Sequence, residues 1–325
     1  MNDPIAEPLR LAAREVPMPS YLSAQAKALL APRPPVHGDY PPAQDKAAWR
    51  ALIAAREDGL LPLLEQINPG EGATAKTRRE EGATIYDIMP ARVDGGGVIL
   101  DLHGGGLFLC GGDICRLMST GIATKLRRHT WSVDYRMPPD HPYPAALDDC
   151  LAAYRALLKA VGADQIIVHG SSAGGNLAAA LVLRARDEGL PMPAGVVLNT
   201  PEIDLTESGD SFHTNLGLDP ALRSLMPVNL LYADGHDLAH PYLSPLFGDF
   251  AKGFPPTLLT TGTRDLYLSN TVRMHRALRA ADVPAELHVV EAGGHGGFPG
   301  TPEGEEISRE LRRFIAERLG EAGAA

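Results

Sequence analysis

The chain has 325 residues and is poor in cysteine, in long apolar runs and in clusters of one charge. Its three cysteines, Cys110, Cys115 and Cys150, are odd in number and lack zinc-site spacing, which predicts reduced, buried thiols. No run of about 18 apolar residues is present, so the sequence excludes a transmembrane helix. Residues 1–10 lack a basic segment followed by an apolar stretch, so no signal peptide is predicted and the cytoplasm is the expected location.

Positive charge is also scarce. The 30 Lys and Arg residues stand against 40 Asp and Glu residues, which gives a net charge of −10, and no basic cluster could neutralise a run of phosphates. Nucleic acid is therefore not an expected partner. What the chain has in quantity is hydrophobic residues, 44% of the total, together with 34 glycines and 28 prolines. This composition predicts a turn-rich globular protein with a large core.

The apolar pattern divides the chain into two kinds of segment. Residues 1–75 show helical patches around Leu22 and Trp49 but no strand pattern. In residues 76–200 and 256–325, short apolar strands alternate with amphipathic helices, which predicts an α/β fold with a mostly parallel central sheet covered by helices on both faces. The predicted strands are 84–89, 98–100, 131–135, 166–168, 195–198, 257–261 and 287–290, and the predicted helices are 145–160, 176–187, 269–280 and 307–318.

Residues 201–255 interrupt this alternation with scattered apolar positions. The segment is too long for a plain loop in a compact domain, so we predict an inserted lid that borders the functional site. Phe212, Leu216 and Met226 are its candidate substrate-binding residues.

The first chemical motif is the segment 170–174, Gly-Ser-Ser-Ala-Gly, which fits the G-x-S-x-G nucleophile elbow. Two glycines permit a strained turn that exposes the hydroxyl of Ser172. The motif alone is weak evidence, but an apolar strand precedes it and an alanine-rich helix follows it, as the mechanism requires. The sequence therefore predicts that Ser172 is a nucleophile rather than an inert turn serine.

The second motif is His103-Gly104-Gly105-Gly106, at the end of another apolar strand. Glycines there allow backbone N–H groups to face an oxyanion, and the N–H of Ala173 would be the remaining donor. A phosphate-binding turn fits less well, because neither glycine-rich phosphate motif can be aligned here. We therefore predict an oxyanion hole from Gly104, Gly105, Gly106 and Ala173.

An acid and a base should follow the nucleophile in the chain. Asp265 stands directly after the predicted strand 257–261, a better position than that of Asp282 or Asp249. His295 lies in a glycine-rich loop after the last predicted strand, whereas His275 falls in a charged helix and His288 within a strand. The prediction is that His295 takes the proton of Ser172 and that Asp265 orients the imidazole.

His236 and His240 are four residues apart, a spacing that can bind zinc on a helix. Gly235 and Pro241 bracket the pair and argue against a helix, and no third ligand is indicated. We therefore predict a solvated loop, with no metal and no cofactor.

These motifs together resemble the hormone-sensitive-lipase-like branch of the α/β-hydrolases, over roughly residues 83–320. The resemblance includes the segments 103–106, 134–146, 170–175 and 241–246. It implies an α/β-hydrolase fold whose helical cap comes from residues 1–75 and 201–255, with 76–200 and 256–325 as the catalytic domain. The family often has Asp where Ser171 stands, and often Asp-Pro-Leu followed by a second acid where Asp265–Ser269 stands.

The expected function is that of a serine carboxylesterase acting on short- to medium-chain acyl esters, with lactones as a further substrate class. An amidase or deacylase with the same triad is an open alternative, because the chemistry is shared. A non-catalytic ligand receptor on a hydrolase fold is the alternative from another class. A small-molecule ester is the expected partner, membrane association is not expected, and a homodimer is compatible with the sequence.

Overall fold

The computed structural model describes residues 13, 15–31, 40–67 and 72–321. The predicted N-terminal cap segment 1–75 therefore lies partly outside the described residues, as do much of its proline-rich stretch and residues 1–10. Within that segment α1 (Ala24–Leu29) and α2 (Lys46–Ile67) are helical, as predicted for the patches around Leu22 and Trp49.

The described chain forms one eight-stranded sheet with the strand order β1-β2-β4-β3-β5-β6-β7-β8. The strands β3 to β8 are mutually parallel, and β1 and β2 form an antiparallel edge next to β4. The strand bounds are β1 Thr74–Glu80, β2 Ala83–Met89, β3 Val98–Leu102, β4 Thr130–Asp134, β5 Ile166–Ser171, β6 Gly195–Asn199, β7 Thr257–Gly262 and β8 Ala285–Val290. The predicted fold class, a mostly parallel α/β sheet, is confirmed.

Helices cover both faces of the sheet. Because successive strand residues point to opposite faces, Leu100 packs in the cluster with α4, α5 and α8, whereas Ile99 packs in the cluster with α3 and α9. The helix bounds are α3 Asp113–Leu126, α4 Ala145–Ala160, α5 Ala173–Asp187, α6 Ser211–Thr214, α7 Met226–Ala233, α8 Leu268–Ala280 and α9 Pro302–Arg318. The predicted helix 145–160 has these bounds, and Cys110, Cys115 and Cys150 are free and buried as predicted.

Two elements contradict the predictions made from sequence. Strand β1, Thr74–Glu80, crosses the predicted boundary at residues 75 and 76, where no strand was expected. Its side chains are almost all exposed and charged or polar, so it lacks the apolar pattern of the inner strands, and its backbone pairs with β2 alone. Helix α3 was also missed, because Gly121 and several Ser and Thr residues dilute its apolar face.

The inserted segment 201–255 contains α6, α7 and two short 3-10 turns. Its apolar side chains meet α2, the turn after β3 and the loop after β7 in one cluster, which we call the cap cluster. Its buried members are Trp49, Phe108, Phe212, Leu222, Leu225, Val228, Leu231, Leu266 and Tyr267. This cluster brings two segments remote in sequence to one edge of the sheet.

Candidate active site

The turn between β5 and α5 carries Ser172 at a strained position. Its φ of 57° and ψ of −123° lie in a region that residues with a Cβ rarely occupy. Glycine is required on both sides: a Cβ at Gly170 would lie 2.1 Å from the carbonyl oxygen of Gly174, and one at Gly174 would lie 1.9 Å from that of Leu102. The N–H of Ser172 donates to the carbonyl of Asn199 (2.9 Å), which ties the turn to β6.

Ser172, His295 and Asp265 meet at the carboxyl ends of the parallel strands. His295 Nε2 lies 2.9 Å from Ser172 Oγ, and His295 Nδ1 lies 3.3 Å from Asp265 Oδ1. Asp265 is fully buried in the loop after β7, and its carboxylate also accepts from the Thr261 hydroxyl (2.8 Å) and the Tyr267 N–H (2.9 Å). The structure therefore brings together the three residues that the sequence predicted as nucleophile, base and acid.

A second buried carboxylate, Asp219, was missed by the sequence reasoning. Its Oδ2 accepts from the N–H groups of His295 (3.1 Å) and Leu266 (2.9 Å), and its Oδ1 accepts from those of Ala221 (2.8 Å) and Leu222 (3.0 Å). Asp219 thus joins the inserted segment to both the histidine loop and the acid loop. No local motif marks it, because the loops it joins lie 47 and 76 residues away in sequence.

Burial and neighbouring carboxylates act in opposite directions on His295. Desolvation disfavours the imidazolium, but the hydrogen bond and charge of Asp265, followed by the charge of Asp219, outweigh it and raise the pKa of His295 above 6.5. The imidazolium of His295 is thus stabilised by its acidic neighbours despite its burial.

Glu202 is a second residue that sequence reasoning did not single out. Its side chain is buried, and its own N–H donates to the carbonyl of Ser172 (3.1 Å). Burial raises the pKa of this carboxyl to about 8, against the opposing effects of Tyr267, Asn229 and His295. With this pKa, Glu202 is a neutral carboxylic acid at neutral pH. Its backbone is hydrogen-bonded to that of Ser172.

The glycine turn after β3 lies against Ser172. A Cβ at Gly104 would lie 3.3 Å from Ser172 Cβ, and Gly105 and Gly106 have φ values of 128° and 61° that favour glycine. Within the described part of the chain, the N–H groups of Gly104, Gly105, Gly106 and Ala173 donate no hydrogen bond. Backbone N–H groups without a protein acceptor are the kind of donor that an oxyanion hole requires.

His103 opens this turn and supports its backbone. The His103 ring stacks on Tyr135 at 4.1 Å between ring centroids, and its Nδ1 lies 2.7 Å from the carbonyl oxygen of Gly104. The hydroxyl of Tyr135 donates to the carbonyl of His103 (2.7 Å). These contacts fix the backbone of the turn without using its N–H groups.

The three predicted substrate-binding residues have different surroundings. Phe212 is buried in the cap cluster, and Met226 is half-buried at the start of α7. Leu216 is 55% exposed and belongs to none of the apolar clusters of the described residues, a position that does not support substrate contact. The cap cluster reaches the site through Tyr267, whose ring packs edge-on against His295 at 5.1 Å.

The described residues place the candidate zinc pair in a loop, as the bracketing residues predicted. His236 Nδ1 faces the carbonyl of Ala233 (2.8 Å), and His240 Nδ1 accepts from the Tyr242 N–H (3.2 Å). A different set, His103, Cys115 and Asp134, has possible ligand atoms within 4.8 Å of one another. Burial raises the pKa of the Cys115 thiol well above 9, so this set presents a neutral thiol rather than the thiolate that zinc prefers.

The chain resembles known proteins in both sequence and structure. Residues 99–299 match the family described as having the alpha/beta hydrolase fold. The chain is 34% identical over 194 residues to an esterase of Acinetobacter venetianus, covering 57% of this chain and 62% of that protein. It is 32% identical over 244 residues to an acetyl-hydrolase of Streptomyces hygroscopicus, covering 72% of this chain and 80% of that protein.

Solved structures give the same result over more of the chain. The crystal structure of an esterase superposes with a TM-score of 0.87 at 34% identity, covering 95% of this chain and 98% of that one. An esterase from the bacterial hormone-sensitive lipase family superposes with a TM-score of 0.78 at 27% identity, covering 92% and 99%. The chain belongs to the α/β-hydrolase fold family. Within that family it is a carboxylic ester hydrolase, related to the bacterial hormone-sensitive lipases.

Among the residues that the structure describes, no helix combines the length and the apolar character needed to cross a membrane.

Proposed function

We propose that this chain hydrolyses short- to medium-chain acyl esters, and lactones as a further class, through an acyl-enzyme on Ser172. The observation that carries the proposal is the 2.9 Å contact between Ser172 Oγ and His295 Nε2, with His295 Nδ1 facing the buried Asp265. A hydroxyl is a weak nucleophile until a neighbouring base accepts its proton, and this contact supplies such a base.

In the first half of the reaction, Ser172 Oγ bonds to the acyl carbon while its proton passes to His295 Nε2. The negative charge on the former carbonyl oxygen is stabilised by the N–H groups of Gly104, Gly105, Gly106 and Ala173. The bond to the alcohol oxygen then breaks, and His295 returns the proton to that oxygen.

In the second half, His295 accepts a proton from water, whose oxygen bonds to the acyl carbon. The bond to Ser172 Oγ breaks, Ser172 recovers its proton, and the carboxylic acid leaves. Asp265 keeps Nδ1 protonated throughout and stabilises the imidazolium.

The described part of residues 1–75 and the segment 201–255 would form the cap that selects the acyl group. Support comes from the cap cluster: Leu225 of the insertion approaches the glycine turn, since a Cβ at Gly106 would lie 3.4 Å from its Cδ1. Phe108, Phe212 and Tyr267 would provide apolar surface for the acyl chain. The names of two relatives, an esterase and an acetyl-hydrolase, are in keeping with a short acyl group. Cytoplasmic location and a homodimer stay predictions.

The direct test is Ser172→Ala, with the neighbouring Ser171→Ala as the matched control. The expected result is loss of about 10⁶-fold in kcat for p-nitrophenyl acetate in the first variant, with unchanged circular dichroism. Ser171→Ala should keep its activity. An inactive Ser171→Ala beside an active Ser172→Ala would show that the nucleophile is misassigned.

Matched amide substrates separate the alternatives. p-Nitroacetanilide hydrolysed faster than p-nitrophenyl acetate would favour the amidase, and turnover of neither, with binding retained, would favour the receptor. Lactones, assayed beside the p-nitrophenyl esters, test the further substrate class.

A further inference from the structure

A cavity of about 850 Å³ lies between α3, α9 and the sheet, on the face opposite α5. Its volume is in the range that holds a small organic ligand. The glycine-rich segment 296–300, which follows His295, forms one wall. The cavity is distinct from the cap cluster, since the two share none of their described residues.

This cavity adjoins both halves of the catalytic machinery. Gly104 of the glycine turn and Ser171, the residue before the nucleophile, line it on one side, and Gly296 and Gly297 line it on the other. Ser172 and His295 are not among its described lining residues, so the cavity begins beside the reacting atoms rather than around them.

The position of His295 decides which half of an ester would face the cavity. The base that deprotonates the nucleophile must later protonate the leaving oxygen, so the alcohol part of the substrate lies on the side of His295. The acyl part then lies on the other side of the acyl carbon, toward the glycine turn and Leu225 of the cap cluster. A cavity that runs past the residues after His295 is on the alcohol side.

The floor of the cavity is a polar row at the ends of four parallel strands. His169 Nδ1 lies 2.7 Å from Asp101 Oδ1, Asn199 Nδ2 lies 2.8 Å from His169 Nε2, and the Thr260 hydroxyl donates to Asn199 Oδ1 (3.0 Å). These contacts hold the four side chains in one hydrogen-bonded row. The Thr200 hydroxyl, also in the lining, is buried and has no partner among the described residues.

The walls are mainly apolar and the charged groups are mainly acidic. Met118 and Ile122 of α3 line it, together with Phe298 and with Ile307 of α9. Asp101, Glu303 and Glu305 also line it, against a single described lysine or arginine, Lys125, although Arg312 pairs with Glu305. This environment suits an amphipathic alcohol that is neutral or cationic, and it disfavours an anionic one.

We infer that the cavity between α3 and α9 binds the alcohol part of the ester, and that the substrate is an ester of a bulky, neutral or cationic alcohol that carries a further polar group. This inference rests on the proposed function and names the substrate class of the same site.

The test narrows the cavity with Met118→Trp and, separately, with Thr124→Trp. Thr124 lines the cavity but is exposed on α3, so its replacement does not disturb the core. Val272→Trp, on the exposed side of α8 and outside the cavity, is the control. Circular dichroism identifies a variant that fails to fold, and Thr124→Trp then provides the result.

Two substrate series are measured on each variant. One keeps the acetyl group and varies the alcohol from ethyl to phenyl to 2-naphthyl, and the other keeps p-nitrophenol and varies the acyl chain from acetate to hexanoate. Dividing each variant's kcat/KM by that of the unmodified enzyme removes the intrinsic reactivity of each leaving group. We expect a loss of about tenfold or more for 2-naphthyl acetate relative to ethyl acetate, and no change in the ratio of hexanoate to acetate.

A change in the acyl series with none in the alcohol series would assign the cavity to the acyl chain and overturn the inference. Equal profiles in all variants would show that no part of the substrate enters the cavity, which also overturns it.

The charge preference of the cavity is tested separately, on the unmodified enzyme. An acetate ester of 2-naphthol with a sulfonate on the distal ring should have a kcat/KM about tenfold or more below that of 2-naphthyl acetate, since the anion meets Asp101 and the neighbouring glutamates. Equal rates would refute the charge preference. If the proposed function is wrong, ester hydrolysis will not depend on Ser172. If only the present inference is wrong, hydrolysis will still depend on Ser172 but the alcohol series will be unchanged.

Discussion

Glu202 shows how a single buried side chain can couple stability to pH. In the folded protein its pKa is raised to about 8 chiefly by burial, whereas in the unfolded chain it titrates near its ordinary 4.5. As the pH rises between these values, the unfolded chain releases a proton that the folded protein retains. This favours unfolding, so the stability contributed by the neutral carboxyl is full below pH 4.5 and is lost by about pH 8.

Glu202→Gln keeps the shape of the side chain and removes this titration. The free energy of unfolding of the variant, relative to the unmodified protein, should rise between pH 5 and pH 8 by up to roughly 4 kcal/mol and then level off. Urea denaturation at several pH values measures it. Glu65→Gln, which removes a carboxylate at an exposed position on α2, is the control. A flat difference for Glu202→Gln would show that Glu202 is ionised in the folded protein.

At the scale of elements, Asp219 is the connection between the inserted segment and two catalytic loops. Its four accepted hydrogen bonds come from backbone N–H groups, so its side chain fixes loop positions rather than other side chains. Its charge is also one of the causes that raise the pKa of His295.

Asp219→Asn should therefore have two effects at once. The rising limb of the pH profile of kcat/KM, whose midpoint should lie above 6.5 in the unmodified enzyme, should shift to lower pH as a favourable charge is removed. The amide nitrogen accepts no hydrogen bond, so two N–H groups lose their partner and the free energy of unfolding should fall by roughly 2–4 kcal/mol. Asp234→Asn, an exposed control that removes the same charge, should leave both quantities unchanged. A shift to higher pH in Asp219→Asn would contradict this role.

The elements also show what a sequence can and cannot reveal here. Ser172, Asp265 and His295 could be predicted because each stands in a local pattern: a glycine pair, the end of an apolar strand, a glycine-rich loop. These three residues lie close together because a parallel sheet places the carboxyl ends of its strands at one edge.

The features that were missed depend on tertiary contacts. Asp219 and Glu202 are ordinary acidic residues in sequence, and their burial arises only when the insertion closes over the loops. Strand β1 is charged, and the backbone of β2, not an apolar face, holds it. The polar row of Asp101, His169 and Asn199 interrupts strands that otherwise read as continuous apolar runs.

At the scale of the whole molecule, two segments remote in sequence form one apolar cluster, the cap cluster, which reaches the site through Tyr267. Trp49 is buried at its centre, where its ring packs on Tyr40 at 5.6 Å and on Phe108 at 5.7 Å. Removing the indole would enlarge the space under the cap without touching the triad.

Trp49→Ala should therefore shift acyl preference toward longer chains. Each additional methylene that now fits gains about 0.8 kcal/mol, or roughly a fourfold increase in kcat/KM. The measurement is the series of p-nitrophenyl esters from acetate to decanoate. Phe314→Ala, which removes a buried ring from α9 in another cluster, should lower stability but keep the acyl profile. A folded Trp49→Ala enzyme with an unchanged profile would argue that this cluster is not an acyl cap.

The contact between Ser172 and His295 spans 123 residues of chain, and the one between Asp219 and His295 spans 76. Ser172 and its strained turn are held by β3, β5, β6 and α5, but His295 reaches the serine only when the loop after β8, one of the two edge strands, has closed. During synthesis that loop emerges from the ribosome after nearly all of the sheet. On the proposed mechanism, hydrolytic activity is thus among the last properties that a newly made chain acquires, and a partly folded chain carries Ser172 without its base.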